Sequence, residues 1–392
     1  MQAQTALNLT RSPLHDTVIV GAYNTRQAKV LDQPEGDVLW DAVNGALASA
    51  GLGLADVDGV NVTSSLQRLH SRQAVMLFGG RPCWTGSEIG IPAVIEAALA
   101  ISAGLCEVAL IATAQAAQYT DRVSTAPWTR PSNEFVECWG LFTPAEFALM
   151  ARRHMHLYGT KPEALAEVAA TIRNHGARHP EAVHYGRFVT PADVLASRMV
   201  ADPFHLLDCA ITGEGGAGLV LTHTARARDL DVQPIHLLGA GTDKQGMAYV
   251  TAPVWDRYGD VGLRAGRRAF AQAGLRPADV DVLEIYDPFS FEVIRQLEVF
   301  GFCEKGEGGD FVMDGRIAVG GALPVATNGG LLSFSHAGLA QLIQKPISAV
   351  QQLRGEYPEE LSVPGAKVAL TTNGGSGALF CDALLLGTEP AT

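Results

Sequence analysis

Two stretches of this chain, 223 positions apart, are copies of one another, and a repeat of that length permits few architectures. Ala46 to Val60 reads ALASAGLGLADVDGV, and Ala269 to Leu283 reads AFAQAGLRPADVDVL. Nine of the fifteen aligned positions are identical without a gap: Ala46/Ala269, Ala48/Ala271, Ala50/Ala273, Gly51/Gly274, Leu52/Leu275, Ala55/Ala278, Asp56/Asp279, Val57/Val280 and Asp58/Asp281. Solenoid units run about 20–50 residues, so this period excludes stacked repeats. It implies gene duplication, with two similar α/β halves packed together. The second copy then runs into Glu284-Ile285-Tyr286-Asp287-Pro288-Phe289, a strand ending in a polar, aromatic turn that the first copy lacks. Function is to be sought at that divergence. The duplication predicts that helices Asp37–Ala50 and Leu263–Ala273 are related by a pseudo-two-fold axis. Each should lead into a strand, Val57–Val62 or Val280–Ile285, of a sheet of its own.

The chain is long enough for two domains of ordinary size, with 392 residues, 47% hydrophobic and 18% charged. A net charge of −12 (29 − 41) argues against a nucleic-acid partner, because phosphate binding needs a basic face. Six scattered cysteines without a CxxC pair form neither a disulfide framework nor a metal cluster and fit a reducing cytoplasm. Residues 1–16 are polar and hold no signal-peptide core. The longest apolar run, Ile91 to Ala117, is interrupted by Glu96, Ala103-Gly104 and Glu107, and reads as a buried helix and a strand, not a membrane span.

In chain order, Thr17–Gly21 reads as a first strand. Asp37 is a candidate cap for the helix ending at Ala50, with Gly51 as its C′ residue. Pro92–Ala103 is a helix apolar nearly all round, hence central, and Val108–Thr113 a buried strand. From Gln118 the chain turns irregular and aromatic (Trp128, Trp139), then helical near Ala145–Leu157 and Glu163–Asn174. The core resumes at Leu206–Cys209 and Gly218–Thr222. In the second half, strand His236–Leu238, helix Leu263–Ala273, strand Val280–Ile285, helix Ala337–Leu353 and strand Val368–Thr372 repeat the plan. The domain reading is residues 1–234 for the first half, an inserted loop domain at about 118–205, and residues 235–392 for the second half.

The chain resembles the thiolase superfamily, in particular sterol-carrier-protein-type thiolases and thiolase-like steroid side-chain aldolases. The carriers are the AGL…ADVD stretch of each half, Leu206-Leu207-Asp208-Cys209, Tyr286-Asp287-Pro288-Phe289, Leu297–Gly308, Asn328–Gly338 and Val368–Gly377. The resemblance implies a five-layered αβαβα fold with a loop domain inserted in the first half, a homodimer, and an acyl-CoA thioester as substrate with no tightly bound cofactor or metal. It also implies a small partner protein with a zinc ribbon and an OB fold.

Thiolases use a nucleophilic Cys, an Asn or His at an oxyanion, a His from a Gly-His-Pro turn, and a late Cys or His acid/base. Here Ser335-His336-Ala337 keeps the His, and Tyr286 stands in the Asn/His slot, as in the steroid aldolases. A gapless frame from Gly104 puts Ser87 in the nucleophile slot, whereas Cys83-Trp84-Thr85-Gly86-Ser87 mimics the sterol-type Cys-Ala-Thr-Gly-Ser four residues early. The late slot reads Thr371-Thr372-Asn373, without Cys or His. The candidate catalytic residues are Tyr286, His336, Cys83 and Ser87, and the candidate substrate-binding residues Asp287, Asn328, Asn373, Gly374 and Gly375. The helix starting near Ser87 is expected to offer free N–H groups to an enolate oxygen.

Two motifs are set aside. Gly213-Glu214-Gly215-Gly216-Ala217-Gly218 fits GxGxxG but leads into a strand, so it presents no helix N-terminus to a pyrophosphate. His175 and His179 share a helix face without a third ligand and read as surface or structural residues. The implied reaction is retro-aldol cleavage of a bulky β-hydroxyacyl-CoA. Thiolysis or acyl transfer through Cys83 is one alternative, and a non-catalytic thiolase-like scaffold subunit is another.

Overall fold

The computed structural model describes residues 11–64, 71–117, 143–246, 254–375 and 379–391. The aromatic stretch with Trp128 and Trp139, and Ser376-Gly377, lie outside them. The two halves share a common series of strands and helices, with a short strand and the insertion added in the first and one further helix in the second. The first has β1 (Thr17–Asn24), α1 (Glu35–Ser49), β2 (Gly59–Ser64), the short β3 (Trp84–Thr85), α2 (Ile91–Ser102), β4 (Val108–Gln115) and, after the insertion, β5 (Gly215–His223). The insertion supplies α3 (Thr143–Tyr158) and α4 (Pro162–Arg178). The second half has β6 (Ile235–Lys244), α5 (Leu263–Ala273), β7 (Val282–Glu284), α6 (Ser290–Val299), α7 (Gln341–Leu353), β8 (Val368–Gly375) and β9 (Phe380–Gly387). Helix α6 went unread in the sequence. The expected cap of α1 is also corrected: Pro34 holds that position, and Asp37 lies in the first turn.

Strand order is β3-β2-β4-β5-β1-β6-β9-β8-β7. Outward from the centre, each half therefore runs first strand, last strand, penultimate strand, then the strand of the repeat. The directions match too: β1/β5 and β5/β4 are antiparallel and β4/β2 parallel, as β6/β9 and β9/β8 are antiparallel and β8/β7 parallel. The expectation of two separate sheets is wrong. Val18↔His236 and Ile19↔Ile235 join β1 to β6, so β2 and β7 belong to one continuous sheet. Separation of the sheets therefore gives the duplication no support; its support is the shared order and direction. The antiparallel join of first strand to first strand is the pairing a two-fold produces.

Three apolar clusters set the layers. One packs α1 on one face of the first-half strands (Val38, Val43, Val60, Leu110). A second surrounds α2 and α7 with strand residues of both halves (Ile19, Leu219, Leu237, Leu384), which makes these two helices the central layer. The third packs α5 and α6 on the second-half strands and adds α3 and α4 from the insertion (Phe147, Met150, Ile172). The first half's insertion thus lies on the helices of the second. At 0.8 kcal/mol or so per buried methylene, these faces are what holds the layers together.

The repeated residues account for themselves. Gly51 and Gly274 take φ of +67° and +66°, where a β-carbon is strained, and let Leu52 and Leu275 bond back to Leu47 and Phe270. Asp56 and Asp279 accept the N–H groups of Gly53 and Arg276 at 3.0 and 2.8 Å. Asp58 and Asp281 each accept the first N–H groups of the neighbouring parallel strand, Val108 at 2.8 Å and Val368 at 2.9 Å.

Candidate active site

Parallel strands β7 and β8 open their carboxyl ends to the same side of the sheet, where α/β proteins place ligands. Tyr286 and Asp287 follow β7, and Asn373, Gly374 and Gly375 end β8. Tyr286 is buried, and its backbone N–H donates to Thr372 Oγ1 at 2.8 Å. Its ring lies over Gly374, where a β-carbon would come within 2.7 Å of the ring edge. Gly375 likewise leaves room for the Phe380 ring.

His336 leaves a single π-turn, Gly330–Phe334. Asp287 caps that turn: its carboxylate accepts the Leu331 N–H at 3.0 Å and pairs with buried Lys345 of α7. A β-carbon on Gly330, whose φ is +54°, would collide with this carboxylate. Asn328 Oδ1 accepts the Gly330 N–H at 2.8 Å. Burial pushes the Asp287 carboxyl up against the pull of Lys345.

The His336 Nδ1 lies 3.0 Å from the Ile211 carbonyl. A carbonyl only accepts, so Nδ1 carries the proton and Nε2 keeps its lone pair. Burial lowers the imidazole pKa below the ordinary value, outweighing the Ile211 bond and the Asp287 charge that raise it. Segment Cys209–Ile211 ties the two candidates together: Ala210 N–H donates to Pro288 O at 2.8 Å, and Ile211 N–H to Leu331 O at 3.0 Å.

The two nucleophile candidates lie in the lead into α2, whose first residue meets the end of β8 through Ile91 N–H on Asn373 Oδ1. Cys83 is exposed, its thiol donating to Leu105 O and Asp58 O at 3.1 and 3.3 Å. Both carbonyls precede the starts of β4 and β2, so the thiol stands at the amino ends of the first-half parallel strands. Ser87 is exposed, and its hydroxyl and N–H both go to Glu96, at 3.3 and 2.9 Å. The expected free donors of the adjoining helix are absent at its first three positions. Ile91 N–H is taken by Asn373 Oδ1 at 2.6 Å, Pro92 has none, and Ala93 bonds Gly90 O at 3.1 Å.

Asp287, Asn328 and Asn373 are each at most 2% exposed, and their side-chain oxygens are engaged by protein N–H groups or Lys345, so those oxygens shape the turns of the site. Asn373 also donates to Leu342 O at 2.7 Å and so clamps the starts of both central helices. His175 is buried, not at the surface, bonding Ala326 O and the Val319 N–H at 3.2 Å each, and burial lowers it to about 4. Two participants were missed. Ile211 gave no signal, since only its carbonyl acts. Lys345 did: with Gln341, Ser348 and Gln352 it forms a polar stripe along a helix whose opposite face is apolar.

An α/β core of two similarly ordered strand sets, with helices on both faces of the sheet, is the architecture of a thiolase-type protein. Residues 260–388 match the thiolase C-terminal domain-like family. The 17-hydroxy-3-oxo-4-pregnene-20-carboxyl-CoA lyase of Mycobacterium tuberculosis is 35% identical over 386 residues, 91% of this chain and 95% of that protein. An acetyl-CoA acetyltransferase of Methanothermobacter thermautotrophicus is 32% identical over 381 residues, 93% of this chain and 97% of that protein. Among solved structures, the Ltp2-ChsH2(DUF35) aldolase superposes with a TM-score of 0.81 at 31% identity, covering 95% of this chain and 98% of that one. The chain belongs to the thiolase superfamily.

Proposed function

We propose that the protein is a thiolase-like acyl-CoA lyase that cleaves a bulky, steroid-like β-hydroxyacyl-CoA into a ketone or aldehyde and a shorter acyl-CoA. The observation that carries this reading is His336, held with Nδ1–H on Ile211 O and Nε2 free to take a proton, at a site without a thiol nucleophile among the described residues. The Cys83 thiol is engaged by two backbone carbonyls at the amino ends of β2 and β4, and burial pushes the half-buried Cys209 thiol up to about 12, which leaves it inert. Without a covalent acyl-enzyme, thiolysis loses its route, but an enolate-forming cleavage needs none.

In this scheme His336 Nε2 takes the β-hydroxyl proton and the C–O bond becomes a carbonyl. The Cα–Cβ electron pair moves onto the thioester as an enolate, and the Tyr286 phenol supplies the proton that Cα gains. Proton return from His336 to Tyr286 closes the cycle, so neither cofactor nor metal is consumed. The lyase and aldolase relatives support the steroid-like substrate, and the named complex supports a DUF35 partner for this chain. The zinc-ribbon and OB-fold partner and the homodimer of the resemblance belong to the same proposal, as does the two-half domain division. No described helix is long and apolar enough to cross a membrane.

The test is product analysis with a steroid β-hydroxyacyl-CoA, with and without such a partner, alongside intact-mass measurement. Ketone and short acyl-CoA in equal amounts, with unmodified protein, are expected. An acyl adduct mapped to Cys83 would move the assignment to thiolysis.

A further inference from the structure

Gln27, in the loop after β1, is far in sequence from every candidate site residue, yet its buried side chain reaches the turn that carries His336. Its Nε2 donates to Thr25 O at 2.7 Å and Gly216 O at 3.2 Å. Its Oε1 accepts from Ser335 Oγ at 2.7 Å and from Gln344 Nε2 at 3.0 Å. All four hydrogen-bonding positions of the amide are thus used, and only an amide can both give two and take two. Ser335 immediately precedes His336 and is itself buried.

The Gly-rich run set aside as a dinucleotide motif prepares this contact. A β-carbon on Gly215 would collide with the Gln27 amide. Ala28 and Glu214 exchange backbone bonds at 3.1 and 2.7 Å, Gly216 N–H donates to Thr25 Oγ1 at 2.8 Å, and Leu31 N–H donates to Glu214 at 2.7 Å. Residues 25–31 are therefore zipped to 214–216, and Gln27 leaves that zipper for the second half.

We propose that Gln27 is a positioning residue for His336, acting through the Ser335 hydroxyl. It rests on the reading of His336 as the base. Ile211 O fixes the ring's tautomer, while Gln27 fixes the main chain from which the ring hangs. Two first-half contacts so aim one second-half imidazole. Small misplacement of a reacting group costs up to about a hundred-fold in rate.

Gln27→Met, Ser335→Ala and the double variant test this in the full chain, with its partner where one is required. Each single variant should lower kcat about ten-fold with KM unchanged, within the positioning range. The double should be no slower than the slower single, because both cut one linkage. Ser335→Ala loses only a hydroxyl and leaves Gln27 bonded to Gln344, so it remains informative if Gln27→Met fails to fold. In protein labelled with ¹³C-histidine, the His336 resonance, assigned by its loss in His336→Asn, should shift in both single variants. Full kcat with an unmoved resonance would overturn the proposal, as would multiplied losses in the double. The resonance needs no turnover, so a wild type inactive on β-hydroxyacyl-CoA would defeat the lyase reading while the imidazole signal still decides the role of Gln27.

Discussion

The two halves agree where the chain needs a scaffold and part where it needs chemistry. At the amino ends of β2 and β7, Asp56 and Asp279 make the same bond, as do Asp58 and Asp281. At the carboxyl ends the copies separate. Strand β2 continues through Thr63 and Ser64, paired with Thr113 and Ala114 of β4. Strand β7 stops at Glu284, and the positions equivalent to Thr63 and Ser64 are Tyr286 and Asp287. A ladder that continues consumes its backbone groups in pairing; one that stops early releases the chain to turn and present side chains. Identity between the copies therefore marks what both need to fold, and its loss marks what one half does alone.

The largest effect that could break this comparison is chemical. His336→Ala should lower kcat about 10²- to 10⁴-fold, the range for losing a general base, and Tyr286→Phe about 10²- to 10³-fold. Thr63→Val, at the first-half equivalent of Tyr286, should leave kcat within a factor of about two, as expected for a group making no transition-state contact. Steady-state rates on a β-hydroxyacyl-CoA decide it, and a Thr63→Val loss as large as that of Tyr286→Phe would erase the division of labour.

Next is Gly374→Ala. Its first-half equivalent is Ala114, which already carries a β-carbon beside Ser64. On Gly374 the same methyl meets the Tyr286 ring at 2.7 Å. The rate should fall about ten- to a hundred-fold, and stability should drop by about 1–3 kcal/mol from overpacking, less the small gain of alanine in a strand.

The pH dependence sharpens it further. His336 must be neutral to accept a proton, and burial lowers its pKa. The acid limb of kcat/KM should therefore lie below the ordinary histidine value of about 6.5. Stability follows three further imidazoles. Burial lowers His175, His179 and His184 to about 4 each, so the unfolded chain binds extra protons between about pH 6.5 and 4. Stability should be full above that window and fall as pH drops through it, the share of His175 being up to about 3 kcal/mol. His175→Gln should make that limb shallower in urea titrations. The smallest expected effects are Asp58→Ala and Asp281→Ala, each costing about 1 kcal/mol in chemical denaturation and by similar amounts. Unequal losses would mean the shared residues have parted in role.

Much of this was legible because periodicity and duplication report on packing. The nine identities located both repeat helices and strands within a few residues, and the three-turn helix Leu263–Ala273 to the residue. Tyr286 and His336 were singled out at loops where short motifs survive. What failed depended on three-dimensional closure. The two-residue-pair seam of β1 and β6 has no sequence signature, so one sheet was read as two. The Cys83 alternative rests on a local five-residue match, which says nothing about what the thiol touches in the fold. Helix α6 hid because it buries Glu292 and Arg295 as a pair, each at most 1% exposed, and a fully enclosed charged helix lacks the usual polar face.

The insertion's position has a consequence for how the protein is made. β4 is complete at Gln115, but its partner β5 begins at Gly215, after α3 and α4. Those helices find their apolar contacts on Phe291, Ile294 and Leu297 of α6, which leaves the ribosome some seventy residues after β5 at about 5–20 residues per second. A nascent first half must wait for the second before its own insertion is covered. Synthesised alone and ended at residue 234, it would expose that face to aggregation, whereas co-expression with residues 235–392 would let one fragment chaperone the other.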